Sequence, residues 1–135
     1  DLRGGRGDHR AAAAGGRHRG RAGAGPERLG RRIPWTPAQT ARTMADGLRT
    51  FTVGELPWAH ISRQVHDIVT VTEDEIADAT RRLLLQARLV AEPSGAVATA
   101  AFLHHRHQLP PGRTVAVVSG GNIDPAVLRR LLDAA

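Results

Sequence analysis

Residues 113–132 read RTVAVVSGGNIDPAVLRRLL, and this stretch predicts a strand, a glycine turn and a helix in succession. The apolar run Val115–Val118 has the length and β-branched content of a buried parallel strand. Asp124 followed by Pro125 predicts a helix start, because a capping side chain precedes a proline at the first helical position. This order of elements is typical of α/β folds, which bind ligands at the carboxyl ends of their strands.

The turn between that strand and that helix, residues 119–122, is the predicted ligand-contacting segment. Gly120 and Gly121 have no Cβ, so the backbone can turn sharply there and approach a ligand closely. Ser119 carries the only hydroxyl of the turn. Ser119 is therefore the first candidate for a side-chain contact with a ligand.

Composition divides the chain at about residue 32. Residues 1–32 hold nine arginines against three acidic residues, whereas residues 33–135 hold ten arginines against ten acidic residues. The formal net charge of +6 therefore belongs to the first part. The chain has no cysteine, which excludes disulfides and thiolate metal sites and fits a cytoplasmic location. No apolar run reaches the roughly 20 residues that span a bilayer, so no membrane partner is expected.

Residues 1–32 are predicted to be a low-complexity, disordered tail, because Leu2 and Leu29 are their only large aliphatic residues. As an alternative function, this Arg/Gly tail would make the chain an interaction or non-specific nucleic-acid-binding protein. The tail has no Phe, Tyr or Trp to stack on bases, so the predicted binding is weak and sensitive to salt. The loss of pattern before Ile33 also suggests a frameshift product, which translation of the shifted reading frames would test.

Residues 33–135 carry helix and strand signals in alternation. A short helix is predicted between residues 54 and 65, and the alternation over Asp67–Val71 predicts a strand. Thr72 and Glu75 have the spacing of a capping box, and the helix that follows is predicted to run to about Arg88.

A further helix is predicted from Pro93, which suits a first helical turn. His104, His105 and His107 end this helix and raise the question of a metal site. No carboxylate or cysteine lies beside them in the sequence. We therefore expect no metal, and we interpret these side chains as cations near a helix C-terminus.

Four short motifs in this region resemble those of the threonine/serine dehydratases, enzymes that depend on pyridoxal 5'-phosphate (PLP). The motifs are Ala-Asp-Gly-Leu-Arg-Thr at 45–50, Asp-Ile-Val-Thr-Val at 67–71, Glu-Pro-Ser-Gly-Ala at 92–96 and Ser-Gly-Gly-Asn at 119–122. They occur in the order and at the spacing of that family, which includes serine racemase as a close relative. Four motifs in register make chance similarity improbable.

The resemblance implies a fold and a reaction. The fold would be a partial three-layer αβα domain of PLP fold type II, with residues 33–135 as the C-terminal segment of the catalytic domain. The reaction would be a lyase reaction of amino-acid metabolism. It eliminates water from a small hydroxy-amino acid, threonine or serine, and yields a 2-oxo acid and ammonia.

The resemblance also implies the cofactor-binding residues. The Ser119 hydroxyl would face the pyridine nitrogen of PLP, where a neutral hydroxyl donates to an unprotonated nitrogen. Gly120, Gly121 and Asn122 would shape that turn. Gly47 and Glu92 would line or support the cofactor side.

The chain departs from the family at two places. The family binds PLP covalently through a Schiff-base lysine, and this sequence contains no lysine. The run of four glycines that cradles the phosphate is also absent, since residues 4–5 and 15–16 are only pairs. We therefore predict no catalytic residue here and a truncated dehydratase-like protein that is inactive alone. In a third interpretation, a separate N-terminal lobe supplies the lysine.

Overall fold

The computed structural model describes residues 10–16, 43–49 and 53–133. Two strands and four helices are found in these ranges, with two short 3-10 turns. In chain order they are β1 (Arg10–Gly16), the 3-10 turn Asp46–Leu48, α1 (Glu55–Gln64), β2 (Val65–Thr72), α2 (Glu73–Leu85), α3 (Pro93–His104), the 3-10 turn Arg106–Gln108 and α4 (Pro125–Asp133).

β1 and β2 pair as an antiparallel ribbon. Arg10 lies opposite Thr72, and the pairing continues to Gly15 opposite Asp67, where the register becomes irregular. The sequence predicted disorder over residues 1–32, and the structure differs at residues 10–16. The prediction considered side chains, but the ribbon forms through backbone hydrogen bonds, which an alanine run can supply when a β-branched strand lies beside it. The rest of the predicted tail lies outside the described residues.

The predicted strand at residues 67–71 is confirmed within β2. Val69 and Val71 are buried, whereas Ile68 and Thr70 are exposed, so the alternation of the sequence becomes an inner and an outer face. The predicted helix at residues 54–65 is confirmed as α1.

α2 begins with the predicted capping box. The Thr72 Oγ1 accepts from the Glu75 N–H at 3.3 Å, and the Glu75 carboxylate accepts from the Thr72 N–H at 2.7 Å. The helix ends at Leu85, three residues before the predicted end. The chain leaves the helix there because Arg88 adopts a left-handed φ of 60° and the Leu89 N–H donates to the Leu83 carbonyl at 2.9 Å.

α3 forms the centre of the core. It begins at the predicted proline, and its small side chains let α2 and β2 pack closely against it. Most of the buried apolar residues form one cluster, comprising Ala45, Val69, Val71, Ile76, Ala79, Leu83, Ala91, Ala96, Val97, Ala100 and Ala101.

The prediction of a buried parallel strand at Val115–Val118 is wrong. These residues are not part of a sheet in the described structure, and Val115 and Val117 remain 81% and 68% exposed. A strand requires a neighbour with free backbone groups, and no described strand lies beside this one. The sequence signal identified a segment suited to a sheet, but it could not specify a partner strand.

α4 begins as predicted. The Asp124 Oδ1 accepts from the Ala126 N–H at 2.6 Å, so its side chain caps the helix, and Leu131 is buried. Within the described ranges, every helix is too short or too polar to traverse a bilayer.

Candidate functional site

Three of the four motifs meet at the N-terminus of α3. Glu92 precedes the first residue of α3, and its N–H donates to the Gly120 carbonyl at 3.2 Å. On the other side, the Ser94 Oγ accepts from the Gly47 N–H at 2.9 Å. The first turn of α3 therefore joins the turn at residues 45–49 to the turn at residues 119–122. We call these two turns and residues 92–96 the motif cluster.

The Glu92 carboxylate lies between two glycines of the motif cluster. A Cβ added to Gly120 would lie 2.4 Å from Glu92 Oε1, and one added to Gly47 would lie 3.8 Å from the same oxygen. Gly120 also has a φ of 72°, a left-handed conformation that favours glycine. A side chain at position 120 would therefore overlap with the Glu92 carboxylate, whereas one at position 47 would contact it normally and would meet the Ser94 Oγ at 3.0 Å.

Ser119 lies at the surface of the motif cluster. Its side chain is exposed, and its hydroxyl forms no hydrogen bond with the described part of the chain. Its backbone packs against the first turn of α3, where the Ser119 N–H faces the Gly95 carbonyl at 3.5 Å and the next carbonyl in the chain accepts from the Glu92 N–H at 3.2 Å. An exposed hydroxyl with no partner among these residues is available to donate to a ligand atom.

The other predicted site residues are distributed around this hydroxyl. Gly121 lies against the backbone of Val90, since an added Cβ would be 3.0 Å from the Val90 carbonyl oxygen. Asn122 follows in the chain and is exposed. The fourth motif, in β2, lies beneath α3 and contributes Val69 and Val71 to the core. It supports the cluster without being part of it.

Sequence reasoning did not assign a role to Ser94. Its hydroxyl also lies 3.4 Å from Asp46 Oδ1, and this oxygen in turn accepts from the Gly47 N–H at 2.9 Å. The signal was available in the motif at 92–96, where Ser94 is the only hydroxyl beside a helix start. Its partner, however, lies 47 residues earlier in the chain, so the sequence alone could not identify it.

The turn that carries Gly47 is held from a second side by α2. The Glu73 Oε2 accepts from the Met44 N–H at 2.7 Å, and the Thr43 Oγ1 accepts from the Ala45 N–H at 3.1 Å. Ala45 is fully buried. The turn is therefore attached both to α2 and to α3.

The histidines at the end of α3 form a different cluster. His104 Nε2 lies 3.0 Å from Asp78 Oδ2, and His105 Nε2 lies 3.0 Å from both carboxylate oxygens of Glu75. No carboxylate lies beside these histidines in the sequence, but Asp78 and Glu75 lie beside them in the structure because α2 packs against α3. The described residues include no group of three or more metal-binding side chains that could hold a metal ion.

The pKa of the Glu75 carboxyl lies below its ordinary value. Partial burial raises this pKa, but the hydrogen bond from the Thr72 N–H and the interactions with His105 and His104 outweigh that effect. Glu75 therefore caps α2 and also bonds to His105 at the end of α3.

The chain belongs to the PLP-dependent enzymes. The family model described as "Pyridoxal-phosphate dependent enzyme" matches residues 12–120, which include three of the four motifs and the first two residues of the fourth. The match begins within the segment that the sequence predicted to be a tail. The described part of the chain is thus a partial α/β domain of PLP fold type II.

Two groups of relatives support this assignment. The L-threonine ammonia-lyase of Thermotoga maritima is 40% identical over 91 residues, covering 67% of this chain and 22% of that enzyme. The serine racemase of Schizosaccharomyces pombe is 33% identical over 85 residues, covering 63% of this chain and 26% of that enzyme. The chain thus spans about a quarter of the length of these curated relatives.

Solved structures show the same similarity. The threonine deaminase of T.th. superposes with a TM-score of 0.63 and 39% identity, covering 71% of this chain and 31% of that one. The serine racemase of Dictyostelium discoideum superposes with a TM-score of 0.53 and 33% identity, covering 62% and 27%.

The residues present fit one edge of PLP. The Ser119 hydroxyl is exposed and has no partner in the described ranges. The absent Cβ atoms of Gly120 and Gly121 point towards Glu92 and the Val90 carbonyl, so these glycines shape the turn that presents the hydroxyl. The covalent side does not fit, since the 135 residues include no lysine. The motif cluster also contains the carboxylates of Asp46 and Glu92, which would repel a phosphate. The described residues of this site therefore offer a neutral hydrogen-bond donor, whereas the carboxylates and the absence of lysine do not suit the phosphate or the aldehyde.

Proposed function

We propose that this chain is the ring-nitrogen side of a PLP-dependent threonine/serine dehydratase-like domain and that it has no catalytic activity alone. The observation that carries the proposal is the motif cluster, where the backbone of Ser119 packs against the first turn of α3 and its hydroxyl is exposed. The family membership supplies the cofactor class. The substrate class, a small hydroxy-amino acid, comes from the relatives named as threonine ammonia-lyase and serine racemase.

The proposed role of Ser119 follows from its chemistry. PLP, when bound, withdraws electrons from the α-carbon of an amino acid. A serine hydroxyl donates a hydrogen bond to the ring nitrogen without carrying charge, whereas a carboxylate there would hold the nitrogen protonated. Ser119 would thus keep the ring neutral, and Gly120 and Gly121 would shape the turn that presents its hydroxyl.

The absence of lysine limits what the chain does. The α-proton of a substrate must be taken by a base and the cofactor must be held covalently, and the family uses lysine for the covalent bond. With no lysine at any of the 135 positions, we propose non-covalent and weak binding of PLP. Elimination of water from threonine or serine is not expected from this chain by itself.

A PLP titration tests this function. The change is Ser119→Ala, and the control is Ser62→Ala, which removes a hydroxyl from α1, an element outside the motif cluster. Loss of one hydrogen bond should weaken PLP binding about five-fold, equivalent to about 1 kcal/mol, whereas the control should bind like the wild type. PLP absorbance and fluorescence report the binding.

Two results would contradict the proposal. One is equal PLP affinity of the Ser119→Ala variant and the wild type. The other is formation of 2-oxobutyrate or pyruvate from threonine or serine by the purified chain, because this would require an anchoring amine that the sequence lacks.

We also propose that a lysine-bearing lobe completes the site. The chain covers about a quarter of the length of its relatives, and Val115 and Val117 present an apolar segment that no described strand pairs with. Mixing the chain with the lysine-bearing N-terminal lobe of a relative should produce a new PLP absorbance band and turnover of threonine or serine. An unchanged spectrum after mixing would contradict this proposal.

A further inference from the structure

Gly95 and the Ser119 turn are in direct backbone contact. A Cβ added to Gly95 would lie 1.5 Å from the carbonyl oxygen of Ser119, 2.6 Å from its carbonyl carbon and 3.1 Å from the carbonyl oxygen of Gly120. The Ser119 N–H faces the Gly95 carbonyl at 3.5 Å. The obstacle to a side chain at position 95 is backbone, which cannot rotate away as a flexible side chain can.

The identity of residue 95 runs against the local preference of its helix. α3 is rich in alanine, and glycine is among the least favourable residues in a helix. Gly95 is nevertheless buried in the first turn of α3. The contact with Ser119 accounts for this choice, because only a residue without Cβ lets the two backbones approach so closely.

We propose that Gly95 is the positioning residue for the Ser119 hydroxyl. It does not touch the ring itself, but it sets the distance between the α3 N-terminus and the turn that presents the hydroxyl. This inference rests on the proposed function of Ser119 as the donor to the ring nitrogen. Any side chain at position 95 would push the turn outward and move the hydroxyl away from its position.

The neighbouring residue provides an internal comparison. Ser94 lies in the same helical turn but contacts the opposite part of the motif cluster, where its Oγ accepts from the Gly47 N–H. A change at Ser94 should therefore disturb Gly47 and leave Ser119 in place. A change at Gly95 should do the reverse.

The first experiment compares backbone amide NMR spectra of the full chain without cofactor. The variants are Gly95→Ala, Ser94→Ala and the matched control Gly54→Ala, where the added Cβ would meet only Pro57 at 3.5 Å, an ordinary contact. Gly95→Ala should shift the amide signals of Ser119, Gly120 and Gly121 most, whereas Ser94→Ala should shift that of Gly47. Shifts confined to residues next to position 95 in the sequence, with the Ser119, Gly120 and Gly121 signals unchanged, would overturn the proposal.

The second experiment uses PLP labelled with ¹⁵N at the ring nitrogen. The wild type and Gly54→Ala should shift the ring ¹⁵N signal upfield through the hydrogen bond from Ser119, and Gly95→Ala should lose this shift as Ser119→Ala does. A Gly95→Ala variant that keeps its fold and also keeps the shift would overturn the inference. The amide spectrum of the same variant shows whether it is folded, so that a lost shift in a folded protein can be assigned to the position of Ser119.

The two proposals fail in different ways. If the wild type binds no PLP, the proposed function is wrong, while the amide spectra still decide whether Gly95 sets the position of Ser119. If Gly95→Ala does not fold, wild-type nuclear Overhauser effects decide instead. Effects between the Gly95 Hα protons and the Gly120 amide would support the inference, and their absence would overturn it.

Discussion

Gly120 combines two constraints that can be separated at the residue level. Its φ of 72° is costly for a residue with a side chain, and an added Cβ would also meet the Glu92 carboxylate. Gly112 has a φ of 108° but has nothing within 4 Å of an added Cβ. The two glycines therefore share a positive φ that a residue with a side chain would adopt only at a cost, and they differ in their surroundings.

We predict that Gly120→Ala lowers the free energy of unfolding by about 1 kcal/mol more than Gly112→Ala does. Both variants carry the backbone cost, but only Gly120→Ala must displace Glu92 and weaken the bond from the Glu92 N–H to the Gly120 carbonyl. Urea unfolding measures the difference, and hydrogen exchange at the Glu92 amide should be faster in Gly120→Ala alone. Equal destabilisation of the two variants would contradict this explanation.

At the scale of elements, two histidine–carboxylate pairs join the end of α3 to the first turns of α2. His105 with Glu75 and His104 with Asp78 connect residues 26 to 30 positions apart. Asp78 is also bonded within α2 to Arg82 at 2.9 Å, and Arg81 lies 4.0 Å away. Glu75 interacts with Thr72 at the start of its own helix and with His105 and His104 at the end of α3.

The pH dependence of stability follows from the lowered pKa of Glu75. A carboxyl whose pKa is lower in the folded state stabilises the fold above its unfolded pKa, and this contribution disappears as the pH falls through the folded pKa. We expect Glu75→Gln to be less stable than the wild type by about 1 kcal/mol at pH 6, because Gln keeps the cap but loses the charge.

The difference between wild type and Glu75→Gln should shrink towards zero as the pH is lowered below 4.5, the ordinary value for this carboxyl. Thermal unfolding of both proteins from about pH 3 to about pH 7, in buffers of constant ionic strength, measures it. Glu55→Gln serves as the control, since Glu55 is an exposed acid in the first turn of α1 and lies outside both pairs. A difference that stays constant over this range would rule out the charge as its cause.

At the scale of the whole molecule, the extended segment at Val115–Val118 is the part of the described chain that most favours self-association. Its backbone lacks a neighbouring strand in the described structure, and its valines are exposed. An exposed apolar edge of this kind pairs with other chains. We therefore expect the isolated chain to self-associate.

Val117→Lys should weaken this self-association about tenfold, because a charge on an edge strand opposes pairing with a second edge. Leu56→Lys is the matched control, since Leu56 is 72% exposed but belongs to α1, whose backbone groups are already bonded within the helix. Sedimentation velocity over a range of concentrations measures the effect. If both variants reduce association equally, general hydrophobicity and not the edge is responsible.

Local signals predicted much of the fold. The capping box at Thr72 and Glu75, the helix start at Pro93 and the alternation in β2 are each encoded within a few residues, and the structure confirms them. The family was also predictable, because four motifs in register identify it, and the comparison confirms it. The prediction of Ser119 as a cofactor contact stays a prediction.

Other features could not be predicted because they depend on which helices and strands pack against each other. The sequence contained a segment suited to a strand at Val115–Val118, but a strand exists only with a partner, and the described residues provide none. The histidines at the end of α3 were interpreted from their sequence neighbours alone. Their partners lie on another helix, and only the packing of α2 on α3 brings them within 3.0 Å.

By itself, the sequence determined the local elements, the family and the missing lysine, because capping, alternation, motif order and composition are properties of the chain alone. Only the tertiary structure decided that the turns carrying Gly47 and Ser119 meet at the first turn of α3. Gly47 and Ser94 are 47 residues apart, so their hydrogen bond exists only because the core holds α3 beside both turns. The sequence determines which side chains the motif cluster contains, whereas the packing of the core determines the distances between them.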